Sequence, residues 1–96
     1  MSTVKVDKME LAKYIKEKRL AAGLSQGDIA DELGYGSPQF ISNWERAIAR
    51  PPVSALKKIA EILGVSADEI FDIVLRSEIA EITEDMTRKF WGNKKK

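Results

Sequence analysis

Three features of the sequence predict an all-α fold. Helix start and stop signals come in pairs along the chain, apolar residues recur at three- and four-residue intervals, and no stretch alternates apolar and polar residues as a strand would. The expected architecture is five helices in one small domain, with a C-terminal helical extension, joined by short loops.

The elements follow in order. Asp7 with Glu10 is a capping pair, and Leu11, Ile15 and Arg19 then recur every four residues up to Gly23, which predicts helix 1 over residues 8–22. Ser25 with Asp28 opens helix 2, which runs through Ile29, Ala30 and Leu33 to a glycine stop at Gly34. Ser37 followed by Pro38 is an N-cap with proline at the first helical position, so helix 3 begins there and ends near Arg46. Arg50, Pro51 and Pro52 form a connector, and helix 4 follows over 53–63 with Gly64 as its stop. Ser66 with Glu69 is a further capping box that opens helix 5 at Ala67, and neither Gly nor Pro interrupts the chain again before Gly92. The expected organisation is a domain over 7–73, a helical extension over 74–91 and a basic tail over 92–96.

Composition narrows the function classes. Ninety-six residues is one domain's worth of chain. The absence of cysteine removes thiol nucleophiles, thiolate metal sites and disulfides together, and the absence of histidine removes the commonest general base and metal ligand. No enzyme, metal or cofactor is expected. No apolar run approaches the roughly 18–20 residues that span a bilayer. The first eight residues lack the apolar core of a secretory leader, and the expected location is the cytoplasm, on the nucleoid when the protein is bound to DNA. The net charge is +1, so a nucleic-acid partner has to be argued from placed residues rather than from a basic surplus.

Helices 2 and 3 carry that argument. At 100° per residue, Ile29, Ala30 and Leu33 fall within about 60° of Gln26, while Asp28, Asp31 and Glu32 take the opposite face. On helix 3, Gln39, Ser42, Asn43 and Arg46 share one face, and Ile41, Trp44 and Phe40 share the other. Each Gln or Asn amide presents a donor and an acceptor together, which is what bidentate pairing with an adenine edge requires. Trp44 reads as core. Phe40 sits between the faces, suited equally to partial burial and to a thymine methyl. The segment Gly34–Ser37 reads as a turn, since it has neither a preceding strand nor a following Gly-Lys-Ser/Thr.

At this point residues 19–70 resemble the Cro- and phage-repressor-like (XRE-type) helix-turn-helix domain. The matching residues are Arg19, Gly23–Gln26, Ile29, Ala30, Leu33, Gly34, Ile41–Arg46, Leu56, Ile59, Ala60 and Leu63–Ser66. The resemblance implies roles. Gln26 contacts a DNA phosphate and braces the recognition helix, Gln39 and Asn43 read bases, and Arg19 pairs with Glu45 inside the protein. Ser42 and Phe40 join the base-reading candidates, and Ser37, Arg46 and Arg50 the phosphate candidates. The sequence departs from the family twice. The turn from Gly34 to Ile41 is one residue longer than usual, and Ala47 replaces the glycine that closes helix 3, so the loop after helix 3 is expected to differ.

Beyond the domain, Leu75, Ile79, Ile82, Met86 and Phe90 fall on one narrow stripe of near-heptad spacing. Such a stripe either folds back on its own domain or meets a partner, and a homodimer is the preferred reading. The expected function is therefore a DNA-binding transcriptional regulator, a repressor that grips a near-palindromic operator in double-stranded DNA as a homodimer. The alternative is an antitoxin-like or coactivator-like module that binds a protein partner through its C-terminal helix. Lys94–Lys96 read as a plain tail as readily as a DNA-binding arm.

Overall fold

A computed structural model describes residues 9–92. The expected cap at Asp7, the reading of residues 1–8 as lacking a leader's apolar core, and the lysine tail all lie outside that span. Five α-helices are present, α1 (Glu10–Ala21), α2 (Gln26–Leu33), α3 (Gln39–Glu45), α4 (Leu56–Leu63) and α5 (Ala67–Trp91), and there is no strand among the described residues. Each helix contributes one fully buried isoleucine to a common centre: Ile15, Ile29, Ile41, Ile59 and Ile70. Trp44, Leu11, Leu63 and Val74 close around them. Burying side chains of this size contributes on the order of 1.5–3 kcal/mol each, which is what holds short helices that would be marginal alone.

The local signals work as the sequence suggests at most helix ends. Ser25 Oγ accepts from the Asp28 N–H and Asp28 returns the bond to the Ser25 N–H, a complete capping box. Ser66 Oγ accepts from the Glu69 N–H at the start of α5. Ser37 Oγ accepts from the Gln39 N–H, and Pro38 already has helical dihedrals, so the α3 start differs from expectation by one residue in bounds only. The segment 53–63 does not form one α-helix. Val53–Ala55 is a 3-10 turn, and the α-helix proper begins at Leu56. Pro51 and Pro52 provide no backbone donor and leave the chain to tighten before it can propagate an α-helix.

The helix ends share a device. In α1, α2 and α4 the residue after the last turn is Gly23, Gly34 or Gly64 in the left-handed region, and the next N–H reaches back five residues to a carbonyl. The same closure ends α3, where the Ile48 N–H donates to the Asn43 carbonyl at 2.9 Å and the Ala47 N–H to the Trp44 carbonyl at 3.2 Å. There the left-handed residue is Ala47, with φ +60°. The loop after α3 thus keeps the glycine-type geometry despite alanine, contrary to the expected departure. The two closing hydrogen bonds and the burial of Trp44 outweigh a steric penalty of about 1–2 kcal/mol.

One buried ion pair fixes α3 against the rest. The Arg19 guanidinium grips Glu45 through two bonds, Nε to Oε2 at 2.5 Å and Nη2 to Oε1 at 3.0 Å, and its Nη1 donates to the Leu24 carbonyl at 2.9 Å. Gln26 Nε2 donates to the same Glu45 Oε1 at 3.0 Å. The two charged side chains are only 10% and 4% exposed, so neither is solvated well enough to stand alone. Burial alone would push the Glu45 carboxyl pKa up, but the bonds from Arg19 and Gln26, with the charges of Arg19 and Lys16, outweigh it and hold the pKa below its ordinary value.

The extension is not a separate element. α5 runs unbroken through 25 residues, about 37 Å, and the expected boundary between residues 73 and 74 falls inside it. Its first half is packed into the domain through Ile70, Ile73, Val74 and Ser77, and its second half projects, giving the molecule an extent of 48 × 24 × 21 Å.

Two stability measurements follow. Ala47→Gly relieves the left-handed alanine at some cost in unfolded-chain entropy, for a net gain of about 1 kcal/mol, read as a rise of about 4–8 °C in melting midpoint. Glu45→Ala strands the Arg19 charge and should cost about 3–5 kcal/mol, whereas Arg19→Met combined with Glu45→Leu should cost less. Because the folded-state pKa of Glu45 is depressed, its contribution is fully present above the ordinary value of 4.5 and is lost as pH falls through the lower folded value. Acid titration of the melting midpoint should therefore fall more steeply in the parent than in the double variant.

Candidate nucleic-acid interface

α2 and α3 form the helix-turn-helix, and the turn between them is built by three aromatic rings. Gly34 ends α2, and the Tyr35 N–H donates to the Ala30 carbonyl at 2.9 Å. This turns the Tyr35 ring onto Phe40 at 4.9 Å between centroids and edge-on to Trp44 at 5.9 Å. Ile41 and Trp44 are buried beneath α3, which leaves its other face outward.

On that outer face the polar residues are already linked. Gln39 Nε2 donates to Asn43 Oδ1 at 3.0 Å, and Arg46 Nη2 donates to the same oxygen at 3.1 Å. Gln39 keeps its own acceptor oxygen, Asn43 keeps its amide donors, and the guanidinium of Arg46 remains exposed at the helix end. One turn of helix thus offers donors, acceptors and a positive charge on an open surface, chemistry suited to base edges flanked by a phosphate. Ser42 is half-buried beside them. Phe40 packs on Tyr35 and remains 52% exposed.

All four phosphate candidates make contacts within the chain. Gln26 is tied to Glu45, which places it at the junction of α2 and α3 as a brace. Arg50 is engaged with α5. Its guanidinium meets Glu78 Oε2 at 3.4 Å and Glu81 Oε1 at 2.8 Å, both on α5. Its charge is balanced by two carboxylates, and it links the chain leaving α3 to the projecting helix. Sequence reading missed this clasp, although Glu78 and Glu81 lie one turn apart on the side of α5 that carries buried Val74 and Ser77. Ser37 spends its oxygen as the α3 cap. Arg46 is the phosphate candidate whose charge stands on the α3 face itself. Among the described residues there is no cluster of acidic side chains able to hold a metal ion, and no helix is long and apolar enough to cross a membrane.

The comparisons with known proteins agree with this geometry. A helix-turn-helix family model matches residues 15–70, from the middle of α1 to the first turn of α5. The HTH-type transcriptional regulator ImmR of Bacillus subtilis (strain 168) is 37% identical over 60 residues, covering 62% of this chain and 46% of that protein, so the match spans less than half of the relative's length. No solved structure matches the chain significantly. The second half of α1, helices α2 to α4, the glycine-closed turns and the Arg19–Glu45 brace all lie within the matched span, and the chain belongs to the Cro- and phage-repressor-type helix-turn-helix family of DNA-binding regulators.

Proposed function

We propose that this DNA-binding regulator is a repressor that inserts α3 in the major groove and reads bases with Gln39 and Asn43, assisted by Ser42 and Phe40. The observation that carries the reading is the exposed amide pair, pre-linked at 3.0 Å and backed by a buried tryptophan and a buried ion pair. A base-reading surface has to be held rigidly, because a bidentate contact is lost over a fraction of an ångström. Arg46 takes a flanking phosphate, and Gln26 acts from behind through Glu45. Residues 7–73 act as the DNA-binding unit and residues 74–91 as the assembly unit, in a protein working on cytoplasmic DNA.

The assembly is a homodimer in this reading. The stripe Leu75, Ile79, Ile82, Met86 and Phe90 stands 42–76% exposed, so the fold-back that would hide it within the chain is not adopted. A two-fold dimer would present two copies of α3 to half-sites about one DNA turn, roughly 34 Å, apart on a near-palindromic operator. The same exposed stripe is what an antitoxin-like or coactivator-like module would offer to a different protein. Sedimentation of the purified chain separates the two: a dimer supports the repressor reading, and a monomer at high micromolar concentration supports a heterologous partner.

Selection from a random duplex pool should yield a two-fold-related motif. Replacing Gln39 or Asn43 with Ala should then weaken the selected site by about 1–3 kcal/mol and leave random duplex almost unaffected. Equal loss on both would reduce these residues to positioning contacts.

Charged substitution of Ile79 and Ile82 together should separate the dimer without unfolding the domain, since both side chains are 55% exposed in the folded chain. Operator affinity should fall steeply, as two half-sites would no longer be bound in one event.

A further inference from the structure

The projecting half of α5 carries enough pattern to specify how two copies meet. Its exposed stripe falls on a heptad frame with Asp72, Ile79 and Met86 at the a positions and Leu75, Ile82 and Lys89 at the d positions. All six side chains are exposed. They lie roughly opposite the residues that pack α5 into its own domain, Ile70, Ile73, Val74 and Ser77. The stripe therefore faces away from the side of α5 that the domain covers.

The ends of the stripe differ in sign. Asp72 begins it, paired with Arg76 at 3.1 Å, and Lys89 finishes it, paired with Asp85 at 3.1 Å; with Glu10 also on Arg76 the first end keeps a net negative charge, and with Arg88 also on Asp85 the last keeps a net positive one. Side by side in parallel, two copies would place Asp72 against Asp72 and Lys89 against Lys89, with like charges facing at both ends of an apolar seam. Head to tail, an a position faces a d position of the other helix. Asp72 then faces Lys89 at both ends, Leu75 meets Met86, and Ile79 meets Ile82 on either side of the two-fold axis. Phe71, 46% exposed, and Phe90, 76% exposed, fall at matching levels and extend the apolar contact. One flank brings Glu78 near the partner's Asp85, but each of these acids is already paired within its own chain. Arg50 lies 3.4 Å from Glu78, and Arg88 and Lys89 lie 3.0 and 3.1 Å from Asp85.

We propose that α5 binds a second copy of this chain as an antiparallel two-helix seam centred between Ile79 and Ile82, capped at each end by an Asp72–Lys89 pair. The proposal rests on the homodimer reading and adds its direction and register to it. Direction matters for function, because it decides whether the two domains lie at opposite ends of the seam or side by side.

The chain has no cysteine, so single introduced thiols report the arrangement cleanly. In the antiparallel register Leu75 lies beside the partner's Met86, whereas two copies of Leu75 are offset by eleven residues, about 16 Å, far beyond disulfide reach. Under mild oxidation Leu75→Cys alone and Met86→Cys alone should stay uncrosslinked, and an equimolar mixture of the two should give a covalent dimer. Charge exchange offers an independent readout. Asp72→Lys should weaken the dimer several-fold, and adding Lys89→Asp should restore it, a rescue that a parallel seam does not permit. Crosslinking of either single variant with itself overturns the antiparallel register. A sedimenting dimer in which neither the single variants nor the mixture crosslink overturns the seam. A monomeric parent chain removes the homodimer reading along with it.

Discussion

The arrangement of the outward face of α3 depends on one buried charge pair. Arg19 comes from α1, Glu45 from the last turn of α3, Gln26 from the first turn of α2 and the Leu24 carbonyl from the loop between them. Four segments of chain converge on one guanidinium and one carboxylate. An apolar contact at that place would tolerate sliding, but a two-point bond between planar groups does not. A pair of this kind need not add much to stability over a well-packed apolar substitute. What it provides is the angle and height of a seven-residue helix that has few hydrogen bonds of its own.

The isoleucine centre and the aromatic turn act together with that pair. Ile41 and Trp44 draw α3 onto the core from below, Tyr35 and Phe40 hold the turn that enters it, and the Glu45 clamp fixes its exit. The polar face above is open because every anchor of the helix lies beneath it. The Gln39–Asn43–Arg46 linkage then orders side chains that would otherwise sample several rotamers. Ordering before contact lowers the entropy lost on binding.

α5 serves two environments with opposite faces. One face completes the core through Ile70, Ile73 and Val74, and the other leaves five large apolar side chains in solvent. The Arg50 clasp to Glu78 and Glu81, with the Arg76 bridge to Glu10, ties the helix to the domain at the level where it begins to project. Exposed bridges of this kind contribute little individually, but they lie on opposite flanks of a rigid rod. Any assembly made by its free half therefore carries the orientation of α3 with it.

Much of this was legible in the sequence, because its signals are local. Capping boxes at Ser25 and Ser66, glycine stops at 23, 34 and 64, and the two-faced pattern of α3 each depend on residues within one or two turns, so the helices and the outward amides could be read directly. The 3-10 start of the fourth helix was missed because two prolines disturb the backbone without altering the apolar spacing. The resemblance to the family pointed to the Arg19–Glu45 pair, and the structure supplied its two-point geometry. Other outcomes were decided only by the tertiary structure. Ala47 keeps a left-handed pose because distant packing of Trp44 and two closing hydrogen bonds overrule its own preference. Arg50 clasps α5 because folding brings Glu78 and Glu81 to it from 28 and 31 residues away. Spacing along the chain reports which residues share a helix face, but which charges meet across helices depends on crossing geometry, and that exists only once the core has formed.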